Sequence, residues 1–266
     1  MKKITLLILG LCAQIIFAQA NRFVYQVTMK PDSTDRNSTK TELANLDISG
    51  GNSIFYPENR LKRDSIMGRM RQTGSFNFDR NQMQNLRTNM DFIIEKDYKT
   101  GKKLYKARIL GDQYAYEEDR PMNWEILPET VKIGEYKTQK AVANFAGRTW
   151  YAWFTTEVPF QDGPYKFSGL PGLIVKVEDS KGDYSFDLKE AKKINEVANF
   201  EQRGSTIAVK RAAFEKQQEQ FRKDPTAAMA SMGSQMRIQM NPNQRKQMED
   251  RQKEEFKKNN NPIELK

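Results

Sequence analysis

The spacing of apolar residues divides the chain into three stretches. Residues 4–17 are a predominantly apolar run behind Lys2 and Lys3. From Arg22 to about Val209, short apolar runs alternate with turn-forming residues, and beyond Lys210 the sequence becomes polar and helix-forming. In the central stretch Phe23, Tyr25, Val27 and Met29 alternate with Val24, Gln26 and Thr28. A period of two with one apolar face predicts a half-buried strand. Four pairs of runs flank turn chemistry. They are 46–48 and 54–56 around Gly50-Gly51, 91–98 and 104–109 around Thr100-Gly101, 135–143 and 149–154 around Ala146-Gly147, and 173–177 and 184–188 around Gly182-Asp183. Each pair reads as a β-hairpin. Successive hairpins argue for an antiparallel sheet, because parallel strands need long crossovers. Residues 60–90 break the pattern and suggest one short helix or a loop. Ala212, Ala213 and Phe214 begin a helix that Asp224-Pro225 stops. A second helix is expected after Asn241, with Pro242 in its first turn and only Met248 and Phe256 as sizeable apolar side chains.

The first stretch reads as a secretory signal peptide of residues 1–20, with cleavage after Ala18 or Ala20. It is shorter than the roughly 20 apolar residues of a membrane span, so no transmembrane anchor is expected. The expected product is exported, to the periplasm or the outer-membrane periphery, or secreted. Residues 21–209 would form the β domain, and residues 210–266 a basic, Met- and Gln-rich tail, helical or partly disordered.

Composition then removes whole classes of chemistry. The chain contains no His, and its one Cys, Cys12, lies in the export segment. Ser-His-Asp and Cys-His triads, His- or Cys-ligated zinc and disulfides are excluded from the mature chain. With 44 Lys and Arg against 34 Asp and Glu, the formal charge is +10. The basic residues are interspersed with acids and match no nucleic-acid recognition motif, so nucleic acid is not an expected partner. A weak attraction to anionic surfaces fits the charge better. No cofactor is expected.

Three constellations could carry function. Trp124, Trp150, Tyr151, Trp153, Phe154, Phe160, Tyr165 and Phe167 concentrate aromatic surface. Alternation puts Trp150, Ala152 and Phe154 on one sheet face and Tyr151 with Trp153 on the other. Either both sets belong to the core, or one does and the other is a binding platform, with Trp150, Tyr151, Trp153, Tyr165 and Phe167 as candidate binding residues. Carboxylates at Glu117, Glu118, Asp119, Asp162, Glu178, Asp179 and Asp183 offer material for an acid/base pair of the glycosidase kind. They fall in apparent turns, where solvated carboxylates are ordinary, and none is assigned a catalytic role. Met229, Met232, Met236 and Met240 share a helical face. They are a flexible apolar stripe or, as the alternative, a Cu(I) site.

The most specific segment contains Ile133-Gly134-Glu135-Tyr136-Lys137, Gly147-Arg148, Trp150 to Thr155, Gly163-Pro164-Tyr165-Lys166-Phe167 and Gly169-Leu170-Pro171-Gly172-Leu173-Ile174. Pro171 sets φ for a turn, Gly172 supplies the positive φ of a type II turn, and Leu170 plugs a core. With Ser53-Ile54-Phe55-Tyr56, Asp64-Ser65 and the terminal Asn259 to Leu265, this segment resembles the GLPGLI family of exported proteins over nearly the whole mature chain. A Cys frequent in that family after the Gly-Tyr element is replaced here by Thr138, so any redox role of that Cys is lost. The sequence is also similar to the bowl-like, non-catalytic N-terminal domain of some peptide-N-glycanases. The resemblance implies a mainly β (α+β) fold, a curved antiparallel sheet or half-barrel of hairpins followed by the helical tail. The expected function is a non-enzymatic binding or accessory protein of the cell envelope, with an envelope protein or glycan as partner. The alternatives are a glycan-active enzyme or accessory using a carboxylate pair and a methionine-based Cu(I) binder.

Overall fold

The computed structural model describes residues 20–74, 80–109, 112–200, 205–223 and 242–265. Among these, twelve strands form one sheet. The first six are β1 (Ala20–Met29), β2 (Lys40–Ser49), β3 (Asn52–Pro57), β4 (Phe92–Asp97), β5 (Lys103–Ile109) and β6 (Asp112–Glu117). The others are β7 (Glu125–Ile133), β8 (Tyr136–Phe145), β9 (Arg148–Thr155), β10 (Leu173–Asp179), β11 (Tyr184–Ile194) and β12 (Thr206–Ala208). The sheet order is β12-β6-β5-β4-β3-β2-β1-β11-β10-β9-β8-β7, antiparallel throughout except for the short β12–β6 pair. The fold is thus mainly β, an open sheet assembled from hairpins.

All four sequence hairpins are present, as β2–β3, β4–β5, β8–β9 and β10–β11. Gly50 and Gly51 take φ of +61° and +91°, the left-handed conformation a two-residue hairpin turn requires. In β1 the apolar set Phe23, Tyr25, Val27 and Met29 is buried, as its alternation demands. Residues 60–90 differ from expectation. They hold a sixteen-residue helix, α1 (Glu58–Thr73), and a short one, α2 (Arg80–Asn85). Helix α1 buries Arg60, Gly68 and Met70, a face too polar to show as an apolar stripe. With residues 195–200 it covers the outer side of β2 and β3. There Asp47 accepts hydrogen bonds from Arg22, Tyr56 and the Ala198 amide.

The turn at Pro171 also differs. The Gly172 amide donates to Leu170 O at 2.8 Å, whereas the Leu173 amide goes to Val158 O, so the bend is a three-residue γ-turn and not type II. Gly172 has φ of +155°, and a Cβ there would lie 1.9 Å from Thr155 O. Leu170 is buried in the core, as expected.

Side-chain contacts show how far the sheet curls. Eight strands separate β6 from β8 in the sheet order, a span of about 43 Å if the sheet were flat. Yet the Lys166 ammonium lies 5.0 Å from the Tyr116 ring of β6 and 6.0 Å from the Phe145 ring of β8. The sheet therefore bends almost round on itself at this end. Its two flanks are joined there by side chains and not by strand pairing.

The tail contributes to this body. Helix α3 (Arg211–Lys223) inserts Phe214 against Tyr105 and Tyr116. Helix α4 (Pro242–Lys257) starts at the expected Pro242 and places Phe256 edge-on to Phe221. Met229, Met232, Met236 and Met240, like Cys12 and the rest of residues 1–19, lie outside the described residues. Among the described residues no helix is long and apolar enough to cross a membrane.

Candidate functional site

The hollow of the curled sheet is filled by the chain itself. Residues 156–172, between β9 and β10, fold into it as a plug closed by the bridge between Asp162 and Ser168. Phe167 meets Trp124, Phe145, Trp150, Tyr165 and Phe186. Tyr165 carries a left-handed φ of +53°, a conformation non-glycine residues seldom adopt.

Three buried ionic centres surround this plug, and the first two include its residues Asp162 and Lys166. At the first, Lys96 on β4 donates to Asp162 Oδ1, Gly163 O and Phe167 O, while the Tyr98 hydroxyl donates to Asp162 Oδ2. Burial pushes the Lys96 ammonium down, and Asp162 opposes that shift. At the second, the fully buried Lys166 donates to Glu118, Glu264 and the Tyr116 hydroxyl, ringed by Tyr105, Tyr116, Tyr165 and Phe145. Burial would raise Glu118, but the Arg120 hydrogen bonds and the Lys166 charge bring it down to about 2. At the third, Arg148 on β9 donates to Asp179, Asp183, Asn261 Oδ1 and the carbonyls of Pro262 and Ile263.

Two of these centres hold the C-terminal residues 259–265 as a strap across the hollow. Glu264 takes Lys166, Tyr165 and Arg120; Asn261 bonds the Lys30 carbonyl; the Leu265 amide donates to Ala146 O. Sequence reasoning assigned no role to Lys96, Arg120, Lys166 or Glu264. A signal existed in Lys166, a lone cation between two aromatics in an otherwise apolar segment.

The candidate carboxylates are engaged elsewhere. Glu117 pairs with Lys102, Glu118 with Lys166 and Arg120, and Asp119 with Arg211. Asp162 pairs with Lys96, Glu178 with Lys176, and Asp179 and Asp183 with Arg148. A general acid needs a raised pKa. Asp119 is instead lowered, chiefly by its Arg211 hydrogen bond, and Asp183 is lowered by Asn261 and Arg148 against its burial.

Of the candidate binding residues, Trp150, Tyr165 and Phe167 are 1%, 1% and 0% exposed. They are core and cannot meet a ligand. The alternation of β9 leaves Tyr151 and Trp153 on the opposite, outer face, half-buried beside Val142. Lys140 lies directly across from Trp153 on β8, and Lys176 across from it on β10. The Lys140 ammonium sits 4.9 Å from the Tyr151 ring, and that of Lys176 5.2 Å from the Trp153 ring. Lys176 is shared with Glu178 and Asp187, whereas Lys140 has no carboxylate partner among the described residues. The outer face of β8–β10 therefore presents two rings flanked by two cations, with none of the described helices packed on it.

Comparison with known proteins supports the fold. A family model described as a protein of unknown function (Porph_ging) matches residues 143–176, the stretch holding β9, the plug and the Gly169-Leu170-Pro171-Gly172 corner. No curated protein gives a significant match. Two crystal structures of PNGF-II, in space groups P21 and C2, are similar with TM-scores of 0.51 and 0.53 at 15% and 14% identity. The similarity covers 75% and 77% of this chain but 33% and 34% of theirs, so this chain spans about a third of the PNGF-II length. What the chain shares with PNGF-II at that identity is the fold, a large open sheet built of hairpins.

Proposed function

We propose that this chain is an exported, non-enzymatic binding or accessory protein of the cell envelope, and a member of the GLPGLI family. Its recognition surface is the outer face around Tyr151 and Trp153, and its ligand is an envelope glycan carrying anionic groups. The observation behind this reading is that the concave side is occupied by the plug and the strap, which leaves the outer face as the side where rings and cations meet solvent. Aromatic rings offer rigid apolar area to the C–H faces of sugars, and Lys140 and Lys176 offer charge to carboxylate, sulfate or phosphate substituents. The net charge of +10 favours encounter with such polymers. The carboxylates that a glycan-cleaving enzyme would need are bound in ion pairs, which disfavours that alternative.

The test is retention of the mature chain on immobilised polygalacturonate, with neutral dextran as control. Wild-type protein is expected to be retained on the acidic polymer. The Tyr151→Ala, Trp153→Ala double variant should bind at least about tenfold more weakly with a melting curve close to wild type. Equal retention of the two proteins, or cleavage of the polymer by the wild type, would overturn the reading.

A further inference from the structure

Lys103 opens β5 and stands directly opposite Lys96 across the β4–β5 pair. Its surroundings differ from those of the two buried lysines near it. Lys96 already engages Asp162 and two carbonyls, and Lys166 already engages Glu118 and Glu264. The other oxygen of Asp162 is taken by Tyr98. Asp162 of the plug and Glu118 just after β6, the acids whose charge acts on Lys103, therefore each have their own cation. The half-buried Lys103 amine itself has no hydrogen-bond or ion-pair partner among the described residues.

We infer that Lys103 is the reactive lysine of this chain, the side chain at which small aldehydes, open-chain aldoses included, condense to an imine. The composition sharpens the point. Without His, and with Cys12 as its only thiol in the export segment, the mature chain has amines as its strongest nucleophiles. Only the unprotonated amine attacks. Burial and the like charge of Lys96 hold the Lys103 ammonium down at about 8, with Lys166 adding to them and Asp162 and Glu118 opposing. An ordinary lysine titrates near 10.4, so at neutral pH a far larger share of Lys103 carries a free lone pair. That lone pair attacks the carbonyl carbon while the C=O π electrons move to oxygen. One amine proton moves to that oxygen to give the carbinolamine, whose hydroxyl then leaves with the second amine proton as water, and a C=N bond remains. No oxidant or further reactant is required. The inference is independent of the outer-face ligand, because Lys103 stands across from Lys96, which points inward to the plug, whereas Tyr151 and Trp153 lie on the outer face.

The experiment exposes the mature full-length chain briefly to glycolaldehyde from pH 6 to 10, with cyanoborohydride present only to trap imines. Adducts are quantified lysine by lysine in peptide mass maps. At pH 7 Lys103 should label at least about tenfold faster than Lys99, an exposed lysine on the same hairpin. Its rate should level off above pH of about 8. In urea the preference should vanish, since it depends on the folded neighbours. Lys103→Met should remove this one fast adduct and no other. Labelling of Lys103 at or below the Lys99 rate, or a preference that survives in urea, would overturn the assignment.

Discussion

At Gly172 the backbone passes so close to Thr155 that any side chain would occupy the position of a carbonyl oxygen. Gly172→Ala should lower stability by more than about 2 kcal/mol in urea denaturation, since both the close contact and the positive φ oppose a Cβ. A change under about 0.5 kcal/mol would mean that the corner can relax. Sequence marked this glycine as indispensable but assigned it a type II turn. The γ-turn could not be read, because the amide of Leu173 is claimed by Val158, a partner that only the folded plug supplies. A similar limit applies at Trp150 and Trp153. Alternation separates their faces without ambiguity, but which face is core depends on where the plug sits.

Hairpins were legible because each is a local unit, with two runs of the right period around residues that tolerate left-handed backbone. The plug and the strap were not, because their anchors are ionic and distant in sequence. Glu264 and Lys166 are 98 positions apart, and Asn261 and Arg148 are 113 apart. Deleting residues 259–266 should lower stability by about 3–5 kcal/mol, since buried Arg148 and Lys166 lose acceptors that nothing replaces. Calorimetry showing an unchanged melting temperature would mean that the strap is only laid on the surface. The same contacts impose an acid dependence. Glu118 is held at about 2 against an ordinary 4.5, and Glu264 is also lowered as the Lys166 charge and Arg120 outweigh its burial. A depressed carboxylate stabilises the fold above its unfolded pKa, so this contribution is present above pH of about 4.5 and fades as the pH falls towards about 2. Glu264→Gln should flatten that acid limb of the stability profile.

For the whole molecule, the buried ionic centre around Lys166 ties two flanks that the sheet order keeps eight strands apart. Lys166→Met leaves Glu118 and Glu264 with Arg120 as their one shared cation and should loosen both flanks together. Amide hydrogen exchange is expected to rise in β5, β6 and β8 while β1 and β2, in the middle of the sheet, stay protected. Faster exchange on one flank alone would show that the closure has another cause. The curl also sets where a ligand can bind. It turns the larger aromatic set inward onto the plug, hides the central outer face under α1 and residues 195–200, and leaves Tyr151 and Trp153 half-exposed, clear of the described helices.

Local pattern by itself determined β1, the four hairpins, the two faces of β9 and both C-terminal helices in the described residues, because each follows from neighbours a few positions apart, whereas β6, β7 and β12 were not marked. Composition determined what chemistry the mature chain lacks. Tertiary structure alone decided that the acids are consumed in ion pairs, that three of five candidate binding aromatics are core, that the last residues close the hollow, and that Lys103 is left without a counter-charge. Those outcomes depend on which groups meet across a bent sheet. Charge pairing and burial act through space at a few ångströms, and a linear pattern does not encode that proximity.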